Sequence, residues 1–63
     1  MDESLSLSLQ SAIDAIDEAA SAVANEVERD RLSESSLARL STVEAELKRS
    51  KVALEKILRE ERR

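Results

Sequence analysis

The 63-residue chain has no cysteine, histidine, glycine, proline or aromatic residue. Without cysteine or histidine, it can form no disulfide and offers a metal no thiolate or imidazole ligand. Without glycine or proline, it lacks the residues that tight turns between strands use most. No apolar run is long enough for a signal-peptide core or a transmembrane helix. We therefore expect a soluble intracellular protein, with cytoplasm and nucleus equally compatible.

The residues that do fill the chain are alanine, leucine, glutamate, arginine and lysine, the strongest helix formers, together with many serines. This composition predicts an all-α fold. Residues 4–9 alternate serine and leucine, a pattern that strands also show. On a helix, two of these three leucines join a stripe that continues through Ile13 and Ile16, so the helical interpretation explains more residues. A later helix start, near Ala12, stays open.

Both halves of the chain carry an apolar repeat with alternating steps of three and four residues. This pattern is typical of helices packed side by side. If the chain folds back near residues 31 and 32, the two repeats align as antiparallel layers. The candidate association seam consists of the apolar residues Leu9, Ile13, Ile16, Ala20, Val23, Val27, Leu40, Val43, Leu47, Leu54, Ile57 and Leu58.

We predict a single helical module at 5–63, with residues 1–4 frayed, a helix at about 5–29, a turn at about 30–34 and a helix at about 35–61. Serines before Leu37 can cap the second helix by accepting hydrogen bonds from its first N–H groups. No glycine or asparagine follows the first helix, although helices often end on such a residue. A long bent or phase-shifted coiled-coil helix is therefore the alternative to the hairpin.

The first helix has a broad apolar face, because Ala12, Ala19 and Ala24 flank its main stripe. Such a width suits a helix that touches two neighbours, as in a four-helix bundle. A chain of this size without aromatic residues buries little apolar surface alone. We therefore expect an antiparallel helical hairpin that dimerises into a four-helix bundle. A tetramer, or a different helical protein as partner, is the alternative.

Ser50 and Lys51 interrupt the apolar face of the second helix. They are a candidate polar layer, which fixes register or oligomer order in some coiled coils. The alternative is that Ser50 fills a small space while the Lys51 stem extends to the rim. On another face, Ala38, Ala45 and Val52 recur every seven residues, and they form either a second docking stripe or an ordinary solvent-facing one.

Charge is divided unevenly along the chain. Residues 1–30 hold eight acidic and one basic residue, whereas residues 31–63 hold six acidic and nine basic ones. Opposite signs favour placing the halves side by side. A parallel pairing of two acidic halves would be repulsive.

These features predict an oligomerisation module rather than an enzyme. There is no nucleophile-and-base arrangement, no glycine-rich phosphate loop and no metal-ligand motif, so we expect no cofactor. The module would be the N-terminal part of a larger protein or a small adaptor subunit. The alternative is a small dimeric nucleic-acid-binding protein that uses its basic C-terminal segment. Interleaved glutamates, a net charge of −4 and the lack of aromatics argue against it, and the acidic first half argues against membrane binding.

Overall fold

A computed structural model describes residues 3–62 and consists of two helices joined by a short turn. Helix α1 spans Glu3–Arg29 and helix α2 spans Glu34–Glu61. They pack against each other as a hairpin 45 Å long, close to the length of about 28 residues at 1.5 Å each. The predicted all-α hairpin is confirmed for this part of the chain, which contains no strand. Four-helix-bundle formation concerns a second hairpin and stays a prediction.

The N-terminal end of α1 differs in detail from the sequence prediction. Residues 1–4 were expected to fray, but Glu3 and Ser4 already belong to the helix. Met1 and Asp2 lie outside the described residues. The serine-leucine alternation at 4–9 is helical, and α1 continues through Ala12 without interruption. A helix places Leu5 and Leu9 on the same face as Ile13, which lies one turn further on, and so continues the apolar stripe.

The turn is made without glycine because Asp30 takes the left-handed conformation that glycine usually provides. Its φ is 54°, and its N–H donates to the Val27 carbonyl at 3.3 Å. Aspartate is among the few residues that adopt this region at moderate cost. A side-chain bridge supports the same bend, since the Arg31 guanidinium donates to both Glu26 carboxylate oxygens at 3.0 and 3.1 Å.

Ser33 begins α2 as its N-cap residue. Its backbone is extended, with φ −65° and ψ 161°, and its Oγ accepts a hydrogen bond from the Ser36 N–H at 3.3 Å. The Leu37 N–H donates to the Ser33 carbonyl at 2.9 Å, closing the first helical turn. Capping satisfies N–H groups that would otherwise have no partner in the helix.

The core between the helices is thin. Only Ile13, Ala20 and Leu58 are buried among the described residues. The chain exposes 4823 Å², whereas a compact monomer of its 7.0 kDa mass exposes roughly 4,000 Å². The hairpin therefore leaves roughly 800 Å² more surface in water than a compact chain of its size.

Candidate functional site

The predicted seam residues of α1 all face α2. Ile13 and Ala20 are buried, and the rest of the α1 seam is half-buried. In α2, Leu58 is buried and the seam leucines before it are half-buried. Val43 and Ile57 differ, because they are 44% and 45% exposed. The structure thus brings most of the seam together inside one hairpin and leaves these two side chains on its surface.

The positions that α2 turns towards α1 in their place include two charged residues. Glu44 and Lys51 are half-buried and lie on the same row as Leu37 and Leu58, with a spacing of seven residues. Their aliphatic stems can cover apolar surface while their charged ends reach the rim. Glu44 bonds to Lys48 at 3.0 Å, so its carboxylate is paired on the surface of its own helix.

The structure separates the two residues of the candidate polar layer, Ser50 and Lys51, because α2 turns Lys51 towards α1 and Ser50 away from it. Ser50 is exposed, whereas Lys51 is half-buried and donates to the Asp17 carboxylate of α1 at 2.7 Å. This hydrogen bond raises the pKa of Lys51 above its ordinary value, and the nearby charges of Asp17, Glu55 and Asp14 act in the same direction. The bond is the one ion pair between the two helices in the described part of the chain.

One side of the hairpin, here called the charged side, holds a shallow groove of about 430 Å³. Its polar lining comes from both helices, with Asp17 from α1 and Lys48, Lys51 and Glu55 from α2. Val52 also lies on its edge. The small side chains of Ala20 and Ala24 leave this depression between the helices, and charged groups surround it.

The opposite side of the hairpin is here called the apolar side, and helical geometry tells which residues lie on it. Residues one position before the inward row of α2 lie on the flank away from the groove. On α1, the corresponding flank lies one position before Ile13 and Ala20. These two rows contain seven residues with no formal charge: Leu5, Ala12 and Ala19 on α1, and Ser36, Val43, Ser50 and Ile57 on α2.

Large apolar side chains on this side are exposed to solvent. Leu5 is 51% exposed, and Val43 and Ile57 are nearly as exposed. Between the two rows lie half-buried residues of the seam itself, such as Ile16 and Leu47. The α1 row ends near the turn at Glu26, which Arg31 already holds by two hydrogen bonds. Up to that point these two rows offer no charged group to water, and the exposed charged residues Arg39 and Glu46 lie on the next row outward on α2.

Three basic residues near the C-terminus make contacts within the chain. Lys48 pairs with Glu44, and Lys51 pairs with Asp17. Arg62 donates to the Ser6 hydroxyl at 2.9 Å, which ties the end of α2 to the start of α1. These contacts reduce the number of cations that can neutralise phosphates, and no aromatic platform accompanies them.

Sequence periodicity alone did not identify Asp17 as the partner of Lys51. The signal was present, because an acidic residue of α1 and a lysine of α2 each flank the apolar repeat. Which flanks face each other depends on the rotation of α2 about its axis. That rotation is set by packing and not by spacing.

Comparisons with protein-family models, with curated proteins and with solved structures give no significant match to this chain. Neither described helix combines the length and apolarity needed to cross a membrane. In residues 3–62, no three acidic side chains gather closely enough to hold a metal ion. The functional argument therefore rests on the hairpin and its two sides.

Proposed function

We propose that this chain is a self-association module, in which two hairpins join through their apolar sides into a four-helix bundle. The observation that carries the proposal is the exposure of Val43 and Ile57, at 44% and 45%, beside half-buried leucines on the apolar side of the hairpin. Several apolar side chains exposed on one side of a small protein are typical of protein-protein contacts. The module would serve to join chains, within a larger protein or as a small adaptor.

The area available on the hairpin suits such a contact. Standard interfaces bury about 800 Å² per partner. The excess surface of the hairpin over a compact monomer is of the same size, roughly 800 Å² from its exposed 4823 Å². A second hairpin on the apolar side would cover Val43 and Ile57 and complete the burial of the leucines next to them.

The test is sedimentation velocity over a wide concentration range, with two matched variants. Val43→Asp places a carboxylate on the apolar side, whereas Val52→Asp makes the same change on the charged side of the same helix. Val52 is 59% exposed in the hairpin, so neither change removes a buried side chain. Circular dichroism of both variants checks that the helices persist.

We expect wild type and Val52→Asp to sediment at twice the 7.0 kDa chain mass, and Val43→Asp to sediment as a monomer. Dimerisation should weaken by roughly 30-fold or more, because an unpaired carboxylate in an apolar interface costs a few kcal/mol. A monomeric wild type at all concentrations would refute the proposal. Loss of the dimer in Val52→Asp alone would place the contact on the Ala38, Ala45 and Val52 stripe instead.

A further inference from the structure

We infer that the two hairpins associate with their turns at the same end, so that α1 of each lies on α2 of the other. This inference rests on the proposed function, and it specifies how the second copy is placed. Two hairpins stacked face to face can be related by a two-fold axis in only two simple ways. With the axis parallel to the helices, α1 meets α2 and the turns share one end. With the axis across the helices, each helix meets its own copy and the turns lie at opposite ends.

The side chains along the apolar side fit each other better when the two turns lie at the same end. An axis parallel to the helices keeps every residue at its own height. Measured from the middle of the turn, Leu5 and Ile57 lie at the same height to within one residue, and so do Ala19 and Val43. In the dimer, the two large side chains near the open end of the hairpin would therefore meet each other, and the alanine would receive the valine.

With the turns at opposite ends, the same two rows of side chains fit each other poorly. With the two hairpins fully overlapped, Leu5 lies level with the region of Glu26 in the other copy. Ile57 lies level with Ser36 in the same way. Each large apolar side chain would thus face a charged or polar group, which costs free energy when water is excluded. Small alanines would also face only alanines, and the valine would face Ser50.

The charges of the helices also favour the arrangement with the turns at the same end. Helix α1 carries six acidic residues and one basic residue, whereas α2 carries six of each sign. Placing α1 against its own copy would put two helices of net charge −5 side by side. Placing it against α2 avoids this repulsion, which acts over the Debye length of about 8 Å at physiological salt.

Spin-label distances test the arrangement directly, because the chain has no cysteine and any introduced one is unique. One label goes near the turn, at Ser35→Cys, and another near the open end, at Ser4→Cys. Both sites are exposed and lie on the outer surface of their helices, away from the apolar side. A third label at Glu18→Cys sits near mid-height on the outer surface of α1. The arrangement with turns at the same end places the two Glu18 labels on opposite outer edges of the bundle, and the other arrangement places them on the same edge.

With turns at the same end, all three labelled sites lie level with their copies on opposite outer edges of the bundle, so each pair should give a similar distance of roughly 20 to 30 Å. With turns at opposite ends, the Ser35 and Ser4 pairs should each lie about 35 to 40 Å apart, because roughly 24 residues at 1.5 Å separate each site from the level of its copy. The Glu18 pair should then lie below about 20 Å. Long distances together with a short Glu18 distance would overturn the inference and leave the proposed dimer intact. No dipolar coupling at any site, with a monomer mass, would overturn the proposed function and the inference with it.

Discussion

Replacing Ile13 and Ile57 by alanine, one at a time, separates the contacts that hold the hairpin from those left for a partner. Each change removes three carbons, worth about 0.8 kcal/mol apiece when fully buried. Ile13 is 4% exposed, so with a cavity contribution its loss should cost about 3 kcal/mol. Ile57 is 45% exposed, so its loss should cost about 1.3 kcal/mol in the isolated hairpin. The better helix propensity of alanine applies at both sites and cancels in the comparison.

Thermal unfolding followed by circular dichroism measures both costs. At low protein concentration, Ile13→Ala should lower the Tm by about 7 to 14 °C more than Ile57→Ala, given a difference of about 1.7 kcal/mol and 4 to 8 °C per kcal/mol for a chain of this size. At high concentration the gap should narrow, because a second hairpin would cover Ile57. Equal costs at low concentration would refute the assignment of Ile13 to the core. A gap that does not change with concentration would contradict a dimer through the apolar side.

Two further predictions follow from the turn and from the contact between the helices. Asp30→Gly should raise the free energy of unfolding by about 0.5 to 1 kcal/mol in denaturant titrations, since glycine adopts φ 54° without a Cβ penalty; a loss of stability would mean that the Asp30 side chain itself supports the turn. The raised pKa of Lys51 means that its ion pair with Asp17 stabilises the fold below the ordinary lysine value of 10.5 and is lost as pH rises through the raised pKa. The stability difference between wild type and Lys51→Met should therefore change above pH 10.5, and a difference independent of pH would contradict this account.

The sequence was sufficient to predict α1 because this helix has one dominant stripe. Each apolar residue from Leu9 to Val27 that continues the three-four repeat is buried or half-buried. The turn was harder, since the absence of glycine argued against a tight reversal. Asp30 resolves this difficulty, because a short polar side chain can occupy the left-handed region at small cost. Composition indicates which residues favour a conformation, but tertiary packing selects the one that takes it.

The rotation of α2 was not available from its sequence. Leu40, Leu47 and Leu54 belong equally to two seven-residue patterns, one completed by Val43 and Ile57 and the other by Lys51 and its row. Each pattern holds five apolar residues, but only the second contains charged ones, so the sequence favours the first pattern for the inward face. The structure selects the second, because the stems of the charged residues extend to the rim and Lys51 gains a carboxylate from α1. The energy of that pairing depends on the other helix, so no property of α2 alone reveals it.

This rotation ties folding to association. With the inward row partly occupied by charged side chains, the hairpin buries only three apolar residues among residues 3–62, and it leaves Val43 and Ile57 exposed on the apolar side. A partner that binds the folded hairpin but not the unfolded chain stabilises the fold in proportion to the logarithm of its concentration. The hairpin and the bundle would then form together, with the leucines between the two rows fully buried only when both exist. Under the proposed association, the stability of the hairpin would respond to the local concentration of its own chains, which is the property an association module requires.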